Sequence, residues 1–240
     1  MKYAFLLLCI TIAFTGNSQQ WYTTYAPHGR DVEASCIVSP GAIFTAGGFE
    51  VAEQFEDIFR SSDYGVGWNV NGTDTPTSMV RSIVFTDSLN GYGVCYLGKF
   101  VKTTDGGDNW VKVDTFANKN FFEIIHVAPS NLFIVGGSRL NDSATILKST
   151  DSGQTWNAVY NQPGHWLRTI TFINAQTGFA VGEGSTILST TDGGNNWQPV
   201  NSPVADRVFT GVVFTTSTTG YIIGGIRDSI RTMLKTIDAG

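Results

Sequence analysis

A motif of the form Ser/Thr-x-Asp-x-Gly-x-x-Trp occurs four times in this chain and begins a fifth time at its end. The aspartates of successive copies are 42, 46, 41 and 46 residues apart. A repeat of this length is typical of a four-stranded β-propeller blade, in which each unit buries its apolar face against its neighbours. The complete copies are SSDYGVGW (61–68), TTDGGDNW (103–110), STDSGQTW (149–156) and TTDGGNNW (190–197).

Between the motifs the chain consists of short alternating segments separated by polar turns, and it lacks the 3.6-residue apolar period of amphipathic helices. In the second unit the predicted strands are residues 83–85, 91–95, 100–103 and 110–113, and the fourth unit repeats them at 170–172, 178–182, 186–189 and 197–200. We therefore predict an all-β propeller with four antiparallel strands per blade. Its blades should cover about residues 32–72, 79–115, 121–160, 166–201 and 208–240.

Each residue type that recurs in the motif has a structural role in a tight turn. The Ser or Thr hydroxyl and the Asp carboxylate can bond to turn amides, Gly permits a positive φ, and Trp covers the turn and packs between sheets. This interpretation makes the motif aspartates structural rather than catalytic. The residues assigned to this role are Ser61, Asp63, Gly65, Trp68, Thr103, Asp105, Gly107, Trp110, Ser149, Asp151, Gly153, Trp156, Thr190, Asp192, Gly194 and Trp197.

The motif resembles the Asp-box, or bacterial neuraminidase repeat, which in that family joins the third and fourth strands of a blade. Residues 81–110 and 168–197 are near-complete copies of the longer pattern found in the photosystem II stability/assembly factor family of plants and cyanobacteria and in its bacterial relatives. The resemblance implies a seven-bladed propeller that serves as a binding platform without chemistry of its own. It also implies a protein or glycan ligand of unknown identity.

The N-terminal segment after residue 18 matches the outer strands of the blades. Trp21-Tyr22-Thr23-Thr24 resembles the strands that begin at the motif tryptophans, but no motif precedes it. We expect residues 21–25 to form an outer strand that closes the ring beside the fifth unit, because an open propeller leaves exposed sheet edges. The sequence thus predicts about four and a half blades of a larger, seven-bladed ring.

Residues 1–18 have the pattern of a secretory signal peptide: a basic start, an apolar run from Ala4 to Phe14, and small residues before the predicted cleavage near Ser18. The run is too short for stable membrane insertion. The protein is therefore expected to be periplasmic, cell-surface or extracellular. Cys36 and Cys95, which follow the leader, are interpreted as core residues, although export would permit a disulfide.

Net charge and residue spacing argue against several classes of ligand. The net charge of −5 argues against a nucleic-acid ligand. His28, His126 and His165 lack the spacing of metal ligands, and no glycine-rich segment precedes a helix, so we predict neither metal nor cofactor. The one local acidic cluster, at residues 50–57, is interpreted as a solvated loop.

A ligand site is predicted at the central mouth of the ring, where the innermost strands begin and the second-to-third-strand turns lie. Arg81 and Arg168 each stand four residues before a phenylalanine that ends an innermost strand, and the same count gives Ala34, Glu123 and Thr210 in the other units. The predicted binding residues are Arg81, Glu123, His165, Trp166, Arg168 and Glu183.

The alternative is a sialidase-like or other glycoside hydrolase, since Asp-box propellers include such enzymes. That activity needs an arginine cluster, a tyrosine with a glutamate, and an acidic residue converging at the mouth. Two arginines at equivalent positions do not make such a cluster. We therefore expect a non-catalytic binding protein and assign no catalytic residue.

Overall fold

The computed structural model describes residues 32–39, 41–47, 57–72, 79–116, 118–127, 129–138, 140, 142–226 and 230–240. The predicted signal peptide, the predicted closing strand at 21–25, His28 and acidic residues 50–56 lie outside the described residues. Among the described residues, helical geometry is limited to two single 3-10 turns, Tyr96–Gly98 and Glu183–Ser185. In this part of the chain no helix has the length and apolar character needed to cross a membrane.

The described strands form four four-stranded antiparallel sheets and one three-stranded sheet, each with its strands in chain order. We number these sheets blades 1 to 5. Blade 1 contains β1 (Val32–Ser39), β2 (Ala42–Gly47), β3 (Asp57–Ser61) and β4 (Asn69–Gly72). Blade 2 contains β5 (Val80–Phe85), β6 (Gly91–Cys95), β7 (Lys99–Thr103) and β8 (Val111–Thr115).

The remaining blades follow the same plan. Blade 3 contains β9 (Lys119–Val127), β10 (Asn131–Ser138), β11 (Ser143–Ser149) and β12 (Asn157–Pro163). Blade 4 contains β13 (Leu167–Phe172), β14 (Gly178–Gly182), β15 (Ile187–Thr190) and β16 (Gln198–Pro199). Blade 5 contains β17 (Val208–Phe214), β18 (Gly220–Ile226) and β19 (Ile230–Thr236).

The first strand of each blade contacts the first strand of the next, from β1 through β5, β9 and β13 to β17. These five strands are therefore innermost, and the sheets follow one another around a common centre. This arrangement, with almost no helix, confirms the predicted all-β propeller fold.

The core lies between the blades and repeats from one interface to the next. At three of the four interfaces between the described blades, an aromatic ring on the second strand of one blade packs on the aromatic ring that ends the next blade's innermost strand. Ring centroids are 4.7 Å apart for Phe44 and Phe85, 4.8 Å for Phe133 and Phe172, and 5.0 Å for Phe179 and Phe214. Such offset aromatic pairs stabilise the interface beyond the area they bury.

The Asp-box of each following blade completes these interfaces. Gly107 has φ +85° and lies so close to Phe44 of blade 1 that a Cβ there would stand 2.4 Å from the ring. Gly153 and Gly194 are in the same position against Tyr92 and Phe133. The glycine is therefore required twice, for its backbone conformation and for the space taken by the neighbouring ring.

Within a box, the side chains hold the turn by short-range hydrogen bonds. In blade 2 the Thr103 hydroxyl donates to Asp105 Oδ1 (2.7 Å) and accepts from the Gly107 amide (2.9 Å). The Asp105 carboxylate also accepts from the amide of Asn109 (2.9 Å) and from its side chain (2.8 Å). The backbone and side-chain bonds from Asn109 hold the pKa of Asp105 at about 2.

The boxes of the other blades form equivalent bonds, and the incomplete copy at the chain end does so through Thr236 and Asp238. The pKa values of Asp151 and Asp192 are likewise about 2. The largest cause is the side-chain hydrogen bond that Thr155 donates to Asp151 and Asn196 donates to Asp192. The box tryptophans differ in burial: Trp110 and Trp197 are buried, whereas Trp68 and Trp156 are half-buried.

Cys36 and Cys95, on blades 1 and 2, are thiols and are not joined in a disulfide. Both belong to the apolar cluster between these blades, together with Phe44 and Trp110. Burial raises the pKa of the Cys36 thiol, which makes it less reactive.

Candidate functional site

Each innermost strand carries a β-bulge near its start. In β5, for example, Val80 pairs with Cys95 and Ser82 pairs with Val94, so the register of the ladder skips Arg81. A bulge displaces one residue from the ladder and redirects its side chain. The displaced residues in blades 1 to 5 are Glu33, Arg81, Phe122, Arg168 and Thr210.

This register corrects the sequence alignment in two blades. Counting back four residues gave Ala34 and Glu123 as the counterparts of Arg81, but the strand pairing gives Glu33 and Phe122. The count failed because β1 and β9 do not end in an aromatic residue. Thr210, in contrast, was aligned correctly.

The five innermost strands surround one cavity of about 370 Å3. It lies where these strands begin, at the end of the blades that carries the second-to-third-strand turns. The Asp-boxes lie at the opposite end, because each joins the third strand to the fourth. The cavity is lined by Glu33, Ala34, Ser35, Arg81, Ser82, Phe122, Glu123, Arg168, Thr169 and Thr210.

Phe122 lies between the two arginines of the cavity. The guanidinium carbon of Arg81 is 4.6 Å from the centre of its ring, and that of Arg168 is 4.0 Å. Arg81 also stacks on Tyr96, at 5.2 Å, from the turn between β6 and β7. Cation–π contacts of this kind hold guanidinium groups in place while leaving their N–H edges able to donate.

Arg168 has a carboxylate partner in its own blade. Its Nε donates to Glu183 Oε1 (3.0 Å), and its Nη2 donates to the same oxygen. Glu183 lies in the 3-10 turn after β14, and both side chains are partly exposed. Blade 4 therefore presents a largely neutralised arginine, which orients that side chain over Phe122.

Glu123 lines the cavity and also joins blade 3 to blade 4. Its Oε2 accepts from the Ile170 amide (2.7 Å) on the free edge of β13. Burial raises the pKa of Glu123, and the bonds from Ile170 and Thr169 partly oppose that rise. Ser82, the equivalent residue of blade 2, donates to the Ile124 carbonyl (3.4 Å). In blades 2 and 3, the residue just after the bulge thus forms a side-chain hydrogen bond with the backbone of the next blade's innermost strand.

The other two predicted site residues lie beside the cavity. Trp166 donates its indole N–H to the Ser138 carbonyl (3.0 Å), and its ring centre is 5.8 Å from that of Phe122. His165 is exposed and packs against Gly184. Arg81, Glu123 and Arg168 therefore line the cavity, Glu183 and Trp166 contact its lining residues, and His165 does not reach it.

Sequence reasoning did not identify Phe122, although it organises both arginines. Its position at the mouth follows from the bulge in β9, and that bulge is defined only by the pairing of β9 with β10. The residues that line the cavity include no tyrosine, and their carboxyl groups are those of Glu33 and Glu123. Among the described residues, no group of three or more His, Cys, Asp or Glu side chains is placed to hold a metal ion.

No protein-family model matches the chain. In sequence, residues of this chain are similar to the xyloglucanase Xgh74A of Acetivibrio thermocellus, with 26% identity over 177 residues. This match covers 58% of the chain and 20% of the xyloglucanase, so the chain spans about a fifth of that relative's length.

Solved structures with the same fold include two classes of protein. YCF48 bound to D1 peptide matches with a TM-score of 0.64 and 13% identity, over 92% of this chain and 69% of that one. The GH74 xyloglucanase from Xanthomonas campestris matches with a TM-score of 0.68 and 12% identity, over 87% and 37%. YCF48 from Cyanidioschyzon merolae gives 0.61 and 12%, over 89% and 69%. At these identities the likeness shows the β-propeller fold, which the photosystem II assembly factor and the glycoside hydrolases share.

Proposed function

We propose that this protein is an exported, non-catalytic β-propeller that binds a protein or glycan ligand at the central mouth. The observation that carries the proposal is the pair of arginines stacked on Phe122 at the wall of one cavity. Export rests on the predicted signal peptide, as described above.

The chemistry of the cavity favours an extended peptide with acidic groups. Arg81 supplies positive charge, and the guanidinium groups of Arg81 and Arg168 supply several N–H donors, although Glu183 offsets the charge of Arg168. Ser82, Thr169 and Thr210 add hydroxyl groups. Phe122 offers an apolar surface between the two guanidinium groups. A volume of about 370 Å3 is within the range of known ligand pockets and would accept a few side chains of a peptide.

The structure of YCF48 bound to D1 peptide supports this choice of ligand class. It demonstrates that a propeller of this fold binds a peptide, although the two chains share 13% identity. Transfer of peptide binding to this chain is therefore our proposal, and the ligand is defined only by its chemistry.

Binding rather than catalysis is supported by how the charged groups are engaged. Glu183 neutralises Arg168, and Glu123 accepts a hydrogen bond from the backbone of the next blade. A glycosidase carboxyl must instead be free to exchange a proton with its substrate. The cavity therefore presents anchored side chains better suited to recognition.

The test measures peptide affinity in variants of the mouth. A library of fluorescent acidic and basic decapeptides is titrated into the wild-type chain, the variant Arg81→Gln/Phe122→Leu, and the control Lys112→Gln on the exposed outer strand β8. We expect selective, salt-sensitive binding of acidic peptides, weakened roughly tenfold or more in the mouth variant. The control should bind as wild type does. Equal affinity of all three proteins would contradict the assignment.

The second candidate is a glycoside hydrolase. It is favoured by the sequence similarity to a xyloglucanase and by Glu33 and Glu123 facing one cavity, where the raised pKa of Glu123 would suit a general acid. Incubation with xyloglucan and with sialosides decides between them. We expect no turnover; turnover that is lost in folded Glu123→Gln would replace the binding proposal with an enzymatic one.

A further inference from the structure

The two arginines of the central mouth occupy equivalent positions in blades 2 and 4. Arg81 and Arg168 are each displaced by the bulge near the start of an innermost strand. Both guanidinium groups also stack on the same ring, that of Phe122 in the blade between them. Any difference in how the two arginines meet a ligand must therefore arise from their other neighbours.

One such neighbour comes from the 3-10 turn after the second strand, which is held in the same way in both blades. The turns begin at Tyr96 and Glu183. The amide of Tyr96 donates to the Met79 carbonyl (2.8 Å), and the amide of Glu183 donates to the Trp166 carbonyl (2.9 Å). In both blades the acceptor lies two positions before the arginine, so Tyr96 and Glu183 are structural counterparts.

The two counterparts contact their arginines in different ways. Tyr96 offers the face of its ring to Arg81, whose guanidinium carbon is 5.2 Å from the ring centre. A cation–π contact of this kind leaves the positive charge of the arginine in place. Glu183 instead offers a carboxylate, whose Oε1 accepts from Nε (3.0 Å) and from Nη2 of Arg168. Glu183 thus occupies an edge of the guanidinium group through which arginine binds carboxylates.

The charge of Arg168 matters to the whole mouth because the two arginines are close together. Their guanidinium carbons lie 4.6 and 4.0 Å from the centre of the Phe122 ring. Their separation is therefore shorter than the Debye length, which is about 10 Å at 0.1 M salt. A ligand at the cavity is exposed to both groups at once, and the carboxylate of Glu183 decides whether it meets one net positive charge or two.

We propose that Glu183 is a specificity-determining residue of the central mouth, which prevents Arg168 from binding a carboxylate of the ligand. This role rests on the proposed peptide-binding function. The ligand that fits is a peptide with one acidic side chain directed at Arg81 of blade 2. Nη1 of Arg168 can still donate to a neutral acceptor, such as a peptide carbonyl. A second acidic side chain directed at blade 4 would be repelled by Glu183, and such repulsion is a common source of specificity.

The test compares peptides that carry one aspartate with peptides that carry two. Matched libraries of fluorescent decapeptides are titrated into the full chain and into Glu183→Gln. In wild type, the second aspartate should bring no gain in affinity. Glu183→Gln should bind the two-aspartate peptides roughly fivefold more tightly than wild type does, which is the upper range for a partly exposed ion pair.

Asp206→Asn is the matched control. It removes the same charge from an exposed residue that precedes β17 and that makes no printed contact with Arg81 or Arg168. We expect its affinity for both libraries to stay within about twofold of wild type, because a solvent-exposed charge is screened by salt. An equal gain in Asp206→Asn and Glu183→Gln would show that only net charge matters, and would overturn the proposal.

Dependence on Arg168 separates a role in specificity from a purely structural one. In the Glu183→Gln background, Arg168→Gln should reverse the gain for two-aspartate peptides. In wild type the same substitution should change their affinity by less than about twofold. If Glu183 only orients Arg168 for ligand binding, Glu183→Gln will weaken binding instead, which would refute the assigned role.

The reciprocal change in blade 2 tests the equivalence of the two turns. Tyr96→Glu and Tyr96→Gln both remove the aromatic ring, but only Tyr96→Glu places a carboxylate beside Arg81. We therefore expect Tyr96→Glu to bind one-aspartate peptides several-fold more weakly than Tyr96→Gln does. Equal affinities would contradict the inference that a carboxylate at this position of the turn blocks the arginine.

These measurements also distinguish failure of this proposal from failure of the proposed function. Acidic peptides could lose affinity in Arg81→Gln/Phe122→Leu and yet bind Glu183→Gln no better than wild type. That result would keep the mouth as the binding site and overturn only the role of Glu183. Absence of acidic-peptide binding in wild type and in every variant, with melting temperatures that show folded proteins, would overturn both.

Discussion

Neighbouring glycines in the second Asp-box allow the contact between blades to be measured separately from backbone strain. Gly106 and Gly107 both have positive φ, +73° and +85°. A Cβ at Gly106 would meet its nearest atom, the Ser88 carbonyl oxygen, at 3.1 Å, whereas a Cβ at Gly107 would stand 2.4 and 2.6 Å from the Phe44 ring. The two alanine variants therefore share the strain and differ in the clash.

The expected costs follow from these distances. A left-handed conformation costs a non-glycine residue about 1–2 kcal/mol, which both variants incur. Forcing a methyl group into a packed interface adds about 1–3 kcal/mol, which applies to Gly107→Ala alone. We expect Gly106→Ala to lower the free energy of unfolding by about 1–2 kcal/mol and Gly107→Ala by about 2–5 kcal/mol.

Urea denaturation followed by tryptophan fluorescence measures this difference, provided that the m-value is unchanged. In a Phe44→Leu background the extra cost of Gly107→Ala should shrink, since the clashing ring is gone. Gly193→Ala and Gly194→Ala repeat the comparison, because a Cβ at Gly193 would stand 3.2 Å from the Ala175 carbonyl oxygen and one at Gly194 would stand 2.5 Å from the Phe133 ring. Equal costs within both pairs would refute the inference that box glycines are selected by the ring of the preceding blade.

Three further outcomes are expected. Trp110→Ala should lower the free energy of unfolding by about 3–5 kcal/mol, because the indole is 2% exposed. Trp156 is half-buried, so Trp156→Ala should lower it by less, roughly 2 kcal/mol. Equal losses of both variants in chemical denaturation would contradict the packing assigned to the two side chains. The carboxylates of Asp105, Asp151 and Asp192 have pKa values of about 2, so their contribution to stability is present above pH 4 and is lost as the pH falls toward 2. Acid titration followed by circular dichroism should show this loss of stability. The loss should be smaller in Asp105→Asn. Lys148→Met should cost about 1–2 kcal/mol, since the Nζ atom of this buried lysine donates to the Gly193 carbonyl and to Asn195 of the next blade, both at 2.8 Å, while Lys112→Met on the exposed face of β8 should leave the melting temperature unchanged.

The repeat made the blades predictable because one motif marks the same turn in every unit. The predicted strands 91–95 and 178–182 coincide with β6 and β14, since glycine and alternating apolar residues bound them clearly. Contacts within a box are local, so their residue types could be interpreted from a single copy.

The central mouth was less predictable because it depends on pairing between strands. Arg81 and Arg168 were found by their distance from a terminal phenylalanine, but Ile37 and His126 occupy the corresponding positions in blades 1 and 3. Without an aromatic residue there, the bulges at Glu33 and Phe122 left no mark in the sequence. The bond from Glu123 to the Ile170 amide joins two blades, and no local pattern encodes it.

Because of the bulges, residues at the central mouth can be substituted without changing the strand pairing of the blades. A residue displaced from the ladder makes no cross-strand pair, so its replacement leaves the strand register and the stacked phenylalanine pairs between blades, such as Phe44 and Phe85, in place. Each of the five blades contributes one such residue, from Glu33 to Thr210. Ligand preference could therefore drift, or be engineered, one blade at a time on a scaffold that stays the same.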